Sequence, residues 1–269
     1  MQPQSGIARP LDFSYQTNRI IVLLALTALL VSAAASALAG TGIVETLIRG
    51  PGAALAVFLT WALCREIDPD HDLSALLAAA MTTGALLILS IPDIPTLLWA
   101  LLVIRVVNRT TGRAATTIDL IFVLLLTLWP LSRGFLPAGP IAATAFFLDG
   151  RSKDPARHRL PFAVVALLAT AVALLATPVH LGAPTPAAGI GIAAATVLFI
   201  PAIAASKTVH SREDSGDRPL DPGRLMTGQA LALATALSAV TTDPAALAPL
   251  WAAILAAGLW HAALAVQGR

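Results

Sequence analysis

Residues 20–40 read IIVLLALTALLVSAAASALAG, an unbroken stretch without a charge. About 20 consecutive apolar residues make a helix long enough to cross the hydrocarbon core of a bilayer. Inside that core every backbone polar group must find its partner within the protein, and a helix satisfies this on its own. The rest of the chain has the same character. Of its 269 residues 57% are hydrophobic and 12% charged, and the mean hydropathy is +0.80. A soluble domain carries about 25% charged residues to cover its surface. The composition therefore predicts an all-α integral membrane protein.

Working outward from that run, further apolar segments fall at 51–64, 74–91, 95–107, 117–131, 137–148, 160–178, 187–205, 226–242 and 247–266, the first itself covering 20–39. This pattern predicts about ten transmembrane helices, arranged as five hairpins in a single polytopic domain over 1–269, with no separate soluble domain. Arg9, Arg19 and Ala37-Leu38-Ala39 before Gly40 look like the parts of a cleavable signal peptide. The apolar run is longer than such a signal needs, and it reads as an uncleaved first crossing.

Orientation follows from the basic residues, which concentrate in the cytoplasmic loops of membrane proteins. With the N-terminus inside, the cytoplasmic set is Arg9, Arg19, Arg65, Arg105, Arg109, Arg113, Arg151, Lys153, Arg157, Arg159, Lys207, Arg212, Arg218, Arg224 and Arg269. Only Arg49 and Arg133 fall outside. The bias places both termini in the cytoplasm. It also favours a full crossing at 137–148, because a re-entrant segment there would move the basic residues of 151–159 to the outside. Trp99, Trp129 and Trp251 are expected near outer ends and Trp61 near an inner one, at the lipid interface. The Ala-rich composition points to a bacterial inner membrane.

The net charge of +2 is small and the basic residues lie in loops rather than on a stripe, so no nucleic-acid partner is expected. Cys64 stands alone, which excludes an intrachain disulfide and a cysteine-based metal site. The membrane core holds few polar candidates, chiefly Asp119, Gln229 and His261. His261 reads as a packed, singly bonded histidine. Asp119 is expected to pair with Arg105.

Chemistry, if present, therefore belongs to the loops. The first reads Cys64-Arg65-Glu66-Ile67-Asp68-Pro69-Asp70-His71-Asp72. Four acids in seven residues suit a hard cation such as Mg²⁺. The competing reading is a proline-centred turn in which Asp72 caps the next helix and Arg65 offsets the acids. The EF-hand pattern is excluded, because Leu73 and Ala79 stand where it needs Gly and Glu. The second loop carries Arg109, Arg113 and a Thr-Gly turn, which can meet a phosphate or anchor at lipid headgroups. The loop around Asp149 to Arg159 reads as a basic segment facing anionic lipid. The fourth reads Glu213-Asp214-Ser215-Gly216-Asp217-Arg218.

Taken together, the first and fourth loops resemble the two Asp-rich cytoplasmic motifs of the intramembrane prenyltransferases of the UbiA type. That resemblance covers about twenty residues. It implies Mg²⁺ holding a prenyl diphosphate. Arg65-Glu66 stands where the family has Asn-Asp, Asp68, Asp70 and Asp72 are more tightly spaced, and ten spans replace nine. The expectation is thus a cytoplasmic-face site for a phosphate-bearing or lipid-phosphate ligand. Glu66, Asp68, Asp70, Asp72, Asp214 and Asp217 would hold Mg²⁺, with Arg109, Arg113 and Arg218 on the anion and a transferase as the most specific form. The alternatives are a small-solute carrier of five-plus-five helices and a non-catalytic membrane subunit or assembly factor.

Overall fold

A computed structural model describes residues 5–152, 158–176, 182–214, 218–240, 243 and 245–268. It is all-helical, with no strand among the described residues. The helices are α1 Gln16–Leu38, α2 Ile43–Ile67, α3 Asp72–Ala85, α4 Ile94–Asn108, α5 Thr117–Ser132, α6 Ala138–Arg151, α7 Leu160–Ala176, α8 Pro186–Ala205, α9 Pro222–Ala239 and α10 Ala248–Val266. A short 3₁₀ turn, Ser206–Thr208, follows α8. Among the described residues four stretches are long and apolar enough to cross a membrane: α1, α2, α10, and α8 with its 3₁₀ turn. α4, α5 and α7 are shorter apolar helices. This is the make-up of a membrane protein.

Helix ends follow local chemistry. Asp93, Thr116, Thr185 and Asp221 each take a backbone N–H of the first turn they precede, satisfying donors that a helix start leaves orphaned. Pro69 pushes the residue before it out of helical backbone, so α2 stops at Ile67 and Asp68 turns away at φ −142. The expected second segment, 51–64, grows in the structure. Pro51 is accommodated inside α2, which begins eight residues earlier at Ile43, where Glu45 and Arg49 pair at 3.4 Å.

α4 lies at the centre. Thr96, Leu97 and every residue from Trp99 to Asn108 except Arg105 are buried, and α4 packs against α2, α5, α6 and α9. At 15 residues it is about 22 Å long, and its burial explains why Trp99 is not an interfacial aromatic. Trp99 is fully buried and its indole donates to Thr127 Oγ1 at 3.1 Å. Trp61 is buried as well. Trp129 is exposed and donates to Asp93. By contrast α1 and α7 expose leucines and valines, and α8 exposes Ile190, Val197 and Ile200, the distribution expected of helices that face lipid.

Close approaches fix the packing. A Cβ on Gly228 would overlap Asn108 Oδ1, so α9 and α4 meet through glycine. A Cβ on Gly258 would lie 2.7 Å from the Leu198 carbonyl carbon, so α10 meets the α8 backbone in the same way. Small residues at helix crossings are how membrane helices gain contact without a hydrophobic drive.

Candidate functional site

One end of the bundle gathers polar segments that are remote in sequence. There the N-terminal segment meets the α4–α5 and α8–α9 loops: Ser5 Oγ donates to Asp119 at 2.7 Å and Arg9 to Asp214 at 2.6 Å. The Asp214 N–H donates to the Thr110 carbonyl at 2.9 Å. The other end joins different loops, with the Asp93 N–H donating to the Ala246 carbonyl.

Among the described residues two carboxylates at the polar end are fully buried. Glu66, at the last turn of α2, accepts from Arg105 Nε at 2.9 Å and from Thr110 Oγ1 at 3.0 Å, with Arg9 at 3.7 Å. Asp149, on α6, accepts from Arg109 at 2.7 Å, Arg159 at 2.8 Å and Arg224 at 3.0 Å. Buried ions survive only when paired and hydrogen-bonded, and both meet that condition. Glu66 and Arg109, expected at an open ligand site, are thus built into the packing. Asp119 does not pair with Arg105; it closes a capping box with Thr116 and receives the Gly6 N–H at 2.8 Å.

The remaining expected residues scatter. Asp72 pairs with Arg65 and opens α3, whose N-cap is His71 rather than Asp72. Asp70 accepts the backbone N–H groups of Ser211 at 2.7 Å and His210 at 3.0 Å, tying the α8–α9 loop to the α2–α3 loop. Those bonds overcome its burial and hold its carboxyl below the usual range. Arg113 and Arg218 are exposed. Asp217 lies outside the described residues.

Asp68 has different company. Its Oδ1 lies 2.7 Å from His71 Nδ1 and 3.4 Å from His261 Nε2. The two imidazoles stand edge to face, 4.9 Å between centroids, and Trp260 lies beside His71. One donor atom from each of Asp68, His71 and His261 lies within 4.8 Å of the others. Burial pushes the Asp68 carboxyl up, but the bonds from His261 and His71 outweigh it and leave the group below its ordinary range. The bond to Asp68 raises His71 above the ordinary imidazole range, against partial burial.

Both histidines line an open cavity of about 650 Å³. Its polar side adds Asp70, Thr208, His210 and Ser211; its apolar side is Pro201, Ala205, Leu264 and Ala265, from the ends of α8 and α10. Sequence reasoning named Asp68 and Asp70 but passed over His71 and treated His261 as packed. The Asp-x-x-His spacing of Asp68 and His71 was the available signal; His261 lies 193 positions away. No family model, curated protein or solved structure matches the chain.

Proposed function

We propose that this chain is a ten-crossing protein of a bacterial inner membrane that binds an amphipathic, phosphate-bearing ligand at its cytoplasmic face. The bias of Lys and Arg supports the sidedness. The shared end of the N-terminal segment, the α2–α3, α4–α5 and α8–α9 loops and the end of α10 supports the even number of crossings between them.

The observation that carries the ligand reading is the cavity between the α2–α3 loop, the end of α8 with the loop after it, and α10. It is large enough for a small ligand and two-sided in chemistry, with three imidazoles and the Asp70 carboxylate facing an apolar wall. An amphipathic molecule lying along the apolar ends of α8 and α10 brings its head to Asp70, His71, His210 and His261. A group-transfer enzyme working on such a head group is the most specific form of this reading, with a divalent cation offsetting the carboxylates.

The test uses the full chain in nanodiscs with decyl phosphate as probe and decyltrimethylammonium as the charge-reversed control. Decyl phosphate is expected to raise the melting temperature, with the shift abolished in Ala265→Trp, which fills the apolar side. An equal shift in Ala265→Trp, or preference for the cationic control, overturns the reading.

A further inference from the structure

We propose that Asp68, His71 and His261 form a binding site for one divalent transition-metal ion of the zinc class. The inference goes beyond the ligand reading and does not depend on it. Three observations meet at this place. First, the end of α2, the start of α3 and the last helix each bring one donor to a single point, the three donor atoms lying within 4.8 Å of one another. Ligands at 2.0–2.2 Å from zinc in a tetrahedral array lie about 3.4 Å apart; Asp68 Oδ1 is 3.4 Å from His261 Nε2 and 2.7 Å from His71 Nδ1, so small side-chain shifts admit an ion.

Second, Asp68 is 3% exposed, and its second oxygen, Oδ2, is buried with no hydrogen-bond partner. A buried carboxylate oxygen normally has a partner, and leaving one unmade is costly. A cation bound by this carboxylate supplies the missing interaction. Third, the two imidazoles border the 650 Å³ cavity rather than a closed core. Three protein ligands with one side open is the arrangement that leaves a metal a position for water or a ligand atom.

The donor set decides the class of ion. Mg²⁺ prefers oxygen ligands and keeps its waters, whereas two imidazole nitrogens with one carboxylate suit zinc, iron or manganese-type ions. The ion expected from the clustered acids alone therefore changes in kind. Of those acids Asp68 alone joins the set among the described residues; Glu66, Asp70, Asp72 and Asp214 are engaged with Arg105, the Ser211 N–H, Arg65 and Arg9. The competing account is a carboxylate that holds two histidines through protons only.

The test titrates Zn²⁺ into the untagged, chelator-washed full chain in nanodiscs, read by calorimetry, with Co²⁺ as the visible-absorption reporter. The expected result is one equivalent bound in the wild type, with affinity weakened at least about tenfold in Asp68→Asn and in His261→Gln. His210→Gln, which alters the same cavity outside the set, is expected to leave the affinity within about twofold. Metal-free melting of each variant runs alongside. Should Asp68→Asn fail to fold, His71→Gln carries the comparison with the same expected loss. No saturable Zn²⁺ binding in the wild type, or equal affinity in His261→Gln and wild type, overturns the proposal and leaves the proton-held arrangement. Because only the metal is titrated, failure of decyl phosphate to bind bears on the ligand reading alone.

Discussion

Arg224 of α9 donates to Asp149 of α6 at 3.0 Å across 75 positions of sequence. Arg109 and Arg159 meet the same carboxylate, and the three arginine side chains are 6–8% exposed. One buried acid thus ties the end of α4, the start of α7 and the start of α9. Removing one partner of a buried ion pair costs about 3–5 kcal/mol, because the remaining charges stay buried. Asp149→Ala is expected to lose at least that much, measured by denaturation in nanodiscs. A loss below about 1 kcal/mol would show the arginines finding water instead.

Glu66 and Asp72 belong to the same acidic loop but differ in surroundings. Glu66 is fully buried against Arg105 and Thr110, whereas the Asp72 side chain is 46% exposed beside Arg65. Glu66→Ala is expected to destabilise by about 3–5 kcal/mol and Asp72→Ala by at most about 1 kcal/mol. Equal effects in the same denaturation assay would argue against this division of roles.

Gly258 lets α10 approach the backbone of α8 at Leu198. Gly258→Leu is expected to lower stability by about 1–3 kcal/mol, the usual cost of overpacking. Adding Leu198→Ala should not restore it, since carbonyl atoms rather than the leucine side chain are in the way. Recovery in the double variant would refute the backbone contact.

The Asp68–His71 pair gives the metal-free protein a signed pH dependence. His71 is raised by its bond to Asp68, so its contribution is complete below about pH 6.5 and fades as pH rises through its folded value. Asp68 is lowered, so its contribution is present above about pH 3.9 and fades as pH falls through its folded value. With chelator present, the stability gap between wild type and His71→Gln should be widest between those limits and narrow toward pH 8.5. A gap that widens with pH would have the wrong sign.

The helices were legible because apolar runs and loop charges are local signals. α4 was expected at 95–107 and is Ile94–Asn108; α5 was expected at 117–131 and is Thr117–Ser132. The Thr116 cap is a local signal of the same kind, since its partner, Asp119, is three residues on. Long-range partners were not readable. Glu66 looks like a loop acid because Arg105 is 39 positions away, and Asp149 sits in what reads as a basic loop while it bonds arginines from three segments. Trp99 was placed at the interface from its position near a segment end, but α4 is short and enclosed, so its end is core. His261 is singly bonded as expected, but nothing near it in sequence names Asp68 as the partner.

The central claim is that the loops bearing Asp68 and Asp214 and the end of α6 bearing Asp149 share one membrane face, reached by ten crossings. Single cysteines test it directly, in a Cys64→Ala background whose native thiol is buried. Exposed positions Asp12, Arg113, Arg151 and Arg212 mark one face, and Gly42, Ser90, Ser132 and Asp243 the other. With a membrane-impermeant maleimide on intact cells and inverted vesicles, the first set should label only in inverted vesicles and the second only in cells. Labelling of Arg151→Cys from outside, or of Arg113→Cys and Ser90→Cys from the same side, would contradict the account.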